Sequence, residues 1–311
     1  MKSFLVKRVL QALGVILCIS AITFFVLNIV PGDPVRIMVG DMADENTVET
    51  VRHNMGLDKP VVEQYGNWLN NMLHGDFGTS YTQNKSVTSL MAKAFTVTAQ
   101  LAGYAYLFAL VFGVVIGVVA AMNHGRWVDR TLMAISIFGI SAPVFWVAII
   151  LQIVFALGLH WFPLSGVKSP VYYVLPTIAL GTRYAASISR VTRTSMMEVL
   201  NQDFMRTAEA KGLKRWVIVI RHALRNALIP IITIAGTELG NIFTGSILIE
   251  SIFAMPGMGK LMLDAINARD LPLIEGGVMY IAAICVFVYL VVDILYAVVD
   301  PRIRLGGEVE E

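Results

Sequence analysis

Glu238 and Asn241 stand three residues apart inside a long apolar stretch, a spacing that puts both on one face of a helix. Arg183 interrupts a second such stretch and Asp293 a third. Polar and ionisable groups at membrane depth are costly and commonly mark a path for solute. The Glu238–Asn241 face can therefore line a polar passage, or it can hydrogen-bond within a helix bundle. Arg183 can face the same passage or extend its head to an interface. Asp293 sits where pairing with a basic loop residue is the plainer account. Catalytic patterns are missing: the chain has neither H-E-x-x-H nor G-x-S-x-G. The five histidines, His53, His74, His124, His160 and His222, include no i, i+4 pair. Cys18 and Cys285 lie far apart with no C-x-x-C, so neither a metal site nor a disulfide framework is legible, and two buried, inert thiols are expected. Gly257-Met258-Gly259-Lys260 lacks the spacing of a phosphate-binding loop, so no nucleotide site is read in this chain.

A second constellation is basic and polar: Leu200-Asn201-Gln202-Asp203-Phe204-Met205-Arg206-Thr207-Ala208-Glu209-Ala210-Lys211-Gly212-Leu213-Lys214-Arg215-Trp216. Asn201 or Asp203 can cap a helix start, and Gly212 suits a left-handed helix end. A short helix, a turn and a second helix over Trp216–Leu224 follow. The small Ala208 and Ala210 admit a close neighbour, and the surrounding lysines and arginines suit an acidic partner surface. A solvated basic loop beside anionic lipid headgroups is the plainer alternative.

These residues need a membrane scaffold. Of 311 residues, 56% are hydrophobic and 15% charged, against about 25% charged in ordinary soluble domains. A spanning helix takes roughly 20 mainly apolar residues. Six stretches qualify: 9–30, 96–121, 131–157, a weaker 172–189 broken by Pro176 and Arg183, 227–249 and 276–299. Gly113 and Gly117, four apart in the second, suit close helix packing in lipid. The first stretch follows Lys2, Lys7 and Arg8 but outruns a signal peptide's apolar core and ends at Pro31-Gly32-Asp33-Pro34, so it is read as a retained span. Residues 35–94 are polar and mixed, suited to short helices and unsuited to spanning. With the N-terminus inside, the inner segments carry 15 of the 24 lysines and arginines and the longer outer segments carry 8, which places both termini in the cytoplasm. A net charge of +2 spread over many loops makes no basic stripe for nucleic acid.

Several motifs in this order resemble one family. Arg206-Thr207-Ala208-x-Ala210-x-Gly212 followed by His222-Ala223-Leu224-Arg225-Asn226-Ala227 looks like the cytoplasmic coupling loop of type I ABC importer permeases. More narrowly it resembles the B-type permeases of dipeptide, oligopeptide, glutathione and nickel importers. Pro31-Gly32-Asp33-Pro34, Gly75-Asp76-x-Gly78-x-Ser80, Phe253-x-x-Pro256-Gly257-x-Gly259-x-Leu261 and Asp300-Pro301-Arg302 add to the match. The broad family loop has Glu-Ala where this chain has Arg206-Thr207, and proline where it has Arg225, so a salt bridge from that glutamate is not carried over.

The resemblance implies an all-α integral membrane protein with six transmembrane helices and the type I ABC importer permease architecture. Its divisions are an N-terminal span (1–30), a small extracytoplasmic segment between helices 1 and 2 (31–95), a transmembrane domain (96–304) holding the coupling loop 200–226, and a cytoplasmic tail (305–311). It implies a non-catalytic subunit of a bacterial or archaeal inner membrane, forming half of a translocation pathway for peptides. A second homologous permease, two ATPase subunits that hold ATP and magnesium, an extracytoplasmic substrate-binding protein and membrane lipid are its expected partners. This chain itself is expected to carry no cofactor or metal. ATPase coupling falls to Arg206, Thr207, Ala208, Ala210, Gly212 and Arg215. The pathway falls to Glu238, Asn241 and Arg183. An extracytoplasmic gate or scoop falls to Phe253, Pro256, Gly257 and Gly259. Import of nickel or a nickel chelate on the same architecture is one alternative, and a self-sufficient secondary transporter is another.

Overall fold

The computed structural model describes residues 2–29, 34–40 and 43–299. Among them no strand forms, and Thr79 and Ser86 make an isolated antiparallel bridge. The helices are α1 (Lys2–Ile29), α2 (Pro34–Val39), α3 (Glu45–Asn54), α4 (Val61–Leu73), α5 (Val87–Met122), α6 (Trp127–Ser141), α7 (Val144–Leu151), α8 (Val174–Leu200), α9 (Asp203–Ala210), α10 (Arg215–Val217), α11 (Arg225–Ile252), α12 (Met258–Ala268) and α13 (Leu271–Val299). Pro31-Gly32-Asp33 and Asp300-Pro301-Arg302 lie outside the described residues. The chain divides into two compact units, one from 1–97 with 256–290, the other from 98–255 with the remainder.

In the first unit, α1 is apolar enough to cross a membrane and meets α4 through an aromatic seam. The Phe24 ring lies 5.4 Å from Tyr65 and 5.5 Å from Trp68, and Ser20 and Tyr65 share a 2.9 Å hydrogen bond. Cys18 is exposed on α1, against the expected buried thiol, and Cys285 is half-buried. The polar segment folds as short helices. Asp44 caps α3, accepting the Thr47 N–H at 3.2 Å and the Thr47 hydroxyl at 2.6 Å. Val87, Met91 and Ala94 at the start of α5 pack with Met258, Met262 and Ala265 of α12 and Leu273 of α13. Asp270, fully buried between α12 and α13, collects the Ser80 hydroxyl (2.6 Å), the Thr82 hydroxyl (2.8 Å) and the Tyr81 and Thr82 N–H groups. Those four donors satisfy a carboxylate that burial would otherwise penalise heavily.

In the second unit α8 is the central helix, packed on α6, α7 and α11. Half of its residues are buried, including Ser189, Thr192 and Ser195. Gly113 and Gly117 of α5 bring that helix onto α8: an added Cβ would stand 2.8 Å from the Ala185 carbonyl at Gly113 and 2.5 Å from Thr192 Cβ at Gly117. The expected small-residue contact is therefore present, with α8 as its partner.

Long apolar helices number four among the described residues, with a fifth if a bent pair counts as one span. The six-span reading departs from this in two places. Residues 131–157, expected as one span, turn through 105° between α6 and the stretch Val144–Gly158. Pro143 disfavours helical backbone at Ala142, which sits extended at φ −69°, ψ 130°. Most of stretch 172–189 belongs to α8, which is not among the helices long and apolar enough to cross a membrane and packs on α6, α7 and α11. A helix enclosed by other helices has no need of an apolar surface on every side.

Candidate functional site

The basic loop folds as a helical knob. Its short helix α9 begins after Gln202, which makes no side-chain cap; Asn201 instead ends α8 and Asp203 is the first residue of α9, so neither caps it as expected. Gly212 turns the chain at φ +71°, the left-handed conformation anticipated for it, with open space around its Cα. The chain then enters α10, passes through a π-helical turn over Ile218–Leu224 and continues into α11.

Which side of the knob faces out corrects one expectation. Ala208, expected on the docking face, is buried with Met205 in a cluster that includes Met196 and Val199 of α8 and Ile218, Val219 and Ala223 beyond the turn. Its small size lets α9 lie close on its own protein. Arg206, Thr207, Ala210, Gly212 and Arg215 remain exposed, together with the large apolar Phe204, Leu213 and Trp216, the last 63% exposed. Arg206 pairs loosely with Asp203 at 3.8 Å, and an Arg215 guanidinium N–H donates to the Met122 carbonyl at 3.4 Å. The outer face is thus an aromatic and apolar patch among cations.

Behind the knob lies a cluster that sequence reading missed. The Asp129 carboxylate, 4% exposed, accepts the Arg193 Nε–H at 2.6 Å, a second Arg193 N–H at 2.8 Å and the Gly125 N–H at 3.0 Å. The His124 ring stands 3.4 Å from the same carboxylate. This two-point grip fixes α6 and the 122–126 turn to α8. An acid and a base 64 positions apart gave no local pattern to detect.

The intramembrane polar residues assemble along α8 and α11. Asn241 donates from its amide to Glu238 at 3.1 Å, confirming the shared face. Thr233, Thr237, Asn241 and Thr244 are all exposed and follow helical spacing, so α11 presents a polar stripe within an apolar helix. The Tyr184 hydroxyl of α8 donates to the Asn241 carbonyl at 2.9 Å, at a crossing where Gly245 leaves room for the phenol. Arg183 is exposed beside Tyr184, and both Arg183 and Glu238 lie within electrostatic reach of that phenol. The three expected pathway residues therefore gather around one helix crossing. Nearby on α11, buried Glu250 accepts the Thr98 hydroxyl at 2.7 Å.

The residues expected in the scoop are mostly enclosed. Phe253, Gly257 and Gly259 are buried and only Pro256 is exposed. The Phe253 carbonyl accepts the Gly166 N–H at 3.0 Å, and Gly257 precedes α12 as its N-cap residue. The stretch is packed backbone, with its exposed surface limited to Ala254 and Pro256.

Residues 113–305 match the family described as the binding-protein-dependent transport system inner membrane component, and residues 1–102 match the corresponding N-terminal family. The glutathione transport system permease protein GsiC of Escherichia coli (strain K12) is 38% identical over 304 residues, covering 98% of this chain and 99% of its own. A permease protein of Brucella abortus (strain 2308), named for a peptide transport system, is 38% identical over 312 residues with the same coverage. Among solved structures, the MetNI methionine ABC transporter in an inward-facing conformation aligns with a TM-score of 0.55 at 16% identity, covering 68% of this chain and 96% of that one, which is a likeness of fold. A helical membrane chain with a knob between two long helices, matched along nearly its whole length, belongs to the inner-membrane components of binding-protein-dependent transport systems and is a permease of the type I ABC importer class.

Proposed function

We propose that this permease forms half of a translocation pathway for peptides, glutathione-like tripeptides included, and takes its drive from an ATPase subunit that grips α9. The observation that carries the reading is the two-sided construction of the knob. Met205 and Ala208 anchor its inner side to α8 and the start of α11, while Phe204, Trp216 and the cations around them are exposed. Force applied to the outer side passes into two long helices through packed side chains, which transmit displacement because interiors compress little. The stripe on α11 with Glu238 and Asn241, together with Arg183 of α8, lines the path. A second, related permease supplies the other half, two ATPases carry ATP and magnesium, and a binding protein delivers cargo at the extracytoplasmic face. Both termini are cytoplasmic, and α8 serves as the remaining span. The names of the glutathione and peptide permeases favour peptides over nickel as cargo.

The test is uptake into proteoliposomes holding this chain, its partner permease and ATPases, and a binding protein. ATP-dependent accumulation of a labelled di- or tripeptide supports the proposal. Accumulation by this chain alone, driven by an ion gradient, overturns it in favour of a self-sufficient transporter. Uptake restricted to nickel or its chelates overturns the cargo assignment.

A further inference from the structure

A cavity of about 620 Å³ opens within the first unit, between the aromatic seam of α1 and α4, the loop before α5 and the first turn of α13. That volume lies in the range of small-ligand sites, about 300–1,000 Å³. Phe24, Trp68, Phe77 and Tyr81 supply aromatic wall, and Asp76 and Glu275 supply the acids. Two basic side chains also reach the wall, but each has its own counter-charge. Lys59 is held by Glu63 at 2.6 Å and His53 by Asp58 at 2.7 Å. Among the described residues neither Asp76 nor Glu275 forms a salt bridge; Asp76 accepts the Gly78 N–H at 2.9 Å, and Trp68 is a hydrogen-bonding neighbour of Glu275. With the two bases already paired, Asp76 and Glu275 are the acidic groups of the wall that lack an ion pair among the described residues. Burial, and after it the nearby Glu275 and Asp270, push the Tyr81 phenol up to about 12.

We propose that this cavity binds a primary ammonium group, as carried by a peptide amino terminus or a lysine side chain, with Glu275 and Asp76 as counter-charges and the Trp68 face as a cation–π partner. Carboxylate and aromatic face together are the chemistry that selects an organic cation, because the carboxylate supplies charge and the ring an attractive, weakly hydrated surface. This site rests on the peptide-importer reading only for the choice of probe.

The experiment is calorimetric titration of the full chain in lipid nanodiscs, without nucleotide or partners, using the dipeptide Lys-Ala and its diacetylated form. Saturable binding of Lys-Ala is expected, with affinity at least tenfold weaker for the diacetylated form and for Glu275→Gln, and about threefold weaker for Trp68→Phe. Asp76→Asn retains an acceptor for Gly78 and serves as a second variant should Glu275→Gln melt early; the expected loss there is several-fold. Equal binding of the two dipeptides, no binding by the intact chain, or wild-type affinity in both charge variants overturns the proposal. Because no transport is measured, failure here leaves the importer reading standing, and failure of ATP-driven uptake leaves this site standing.

Discussion

The Ser80 hydroxyl and the Asp270 carboxylate, 190 positions apart, meet at 2.6 Å in a site closed to solvent. Thr82 and two backbone N–H groups complete the shell, so one side chain fastens the loop before α5 to the junction of α12 and α13. Removing a buried acceptor strands every donor that served it, at about 1–3 kcal/mol for each group left unsatisfied. Asp270→Ala is expected to lower the thermal midpoint of the detergent-solubilised protein by far more than Ser80→Ala. Equal midpoints in the two variants would show that the shell is not held by Asp270.

The Asp129–Arg193 grip predicts a second asymmetry. Breaking a largely buried pair leaves one charge exposed to an apolar interior, a loss of about 3 kcal/mol or more in enclosed sites and less where one partner reaches water, as Arg193 does. Asp129→Asn is expected to reduce stability by about 1–3 kcal/mol, and Asp129→Asn with Arg193→Gln to recover part of it. A denaturation series on the two single variants and the double variant measures the coupling; strict additivity would count against the contact.

At the knob, Gly212→Pro forces a left-handed residue toward φ near −65°, and Ala208→Trp wedges a large ring beneath α9. Both variants are expected to insert in the membrane and to lose at least tenfold in ATP-driven uptake while ATP hydrolysis by the assembled complex persists. Wild-type uptake by the two together would remove the coupling role.

Gly117→Val places branched carbon atoms into the Thr192 side chain and the Ser189 carbonyl. Overpacking at such a contact costs about 1–3 kcal/mol. The yield of folded protein by size-exclusion chromatography should fall, while Gly103→Val, where a Cβ meets nothing within 4 Å, should be tolerated.

Glu238→Gln preserves the size of the side chain and its contact with Asn241 but removes the charge. Uptake kinetics should change, with KM for a cationic peptide rising several-fold and that for a neutral peptide moving less. Identical kinetics for both substrates would assign the α11 stripe to helix packing alone.

How much of this was legible beforehand depended on how local each signal was. Gly212, the α9 turn and the pairing of Glu238 with Asn241 are set within a few residues and were readable from spacing. Gly113 and Gly117 announced a close helix contact without naming α8 as the partner. Long-range polar contacts left no pattern: Asp129 with Arg193, Asp270 with Ser80 and Thr82, and Glu250 with Thr98 each join residues more than 60 positions apart. Ala208 was readable as a small residue at a contact, but spacing alone did not say whether its neighbour was another protein or its own α8. The bend at Pro143 carried a visible cause, yet the apolar run on both sides masked it. The six aromatic or acidic wall residues of the cavity come from four separate segments, which only the fold brings together.

The enclosure of α8 has a consequence for how the protein is made. With Arg183, Arg190, Arg193 and Glu198 along its length, this segment is a poor candidate for leaving the translocon sideways into lipid by itself, since each charge at mid-bilayer costs about 2.5–3.5 kcal/mol on insertion scales. Gly113, Gly117, Ser136 and Asp129, all earlier in the chain, offer it a docking surface that already exists when it emerges. Biogenesis is then ordered by packing: α5 and α6 enter first, and α8 is retained by them more than by the membrane. Substitutions at those early positions should therefore be read out as defects in the integration of a later helix, well before any defect in transport can be seen.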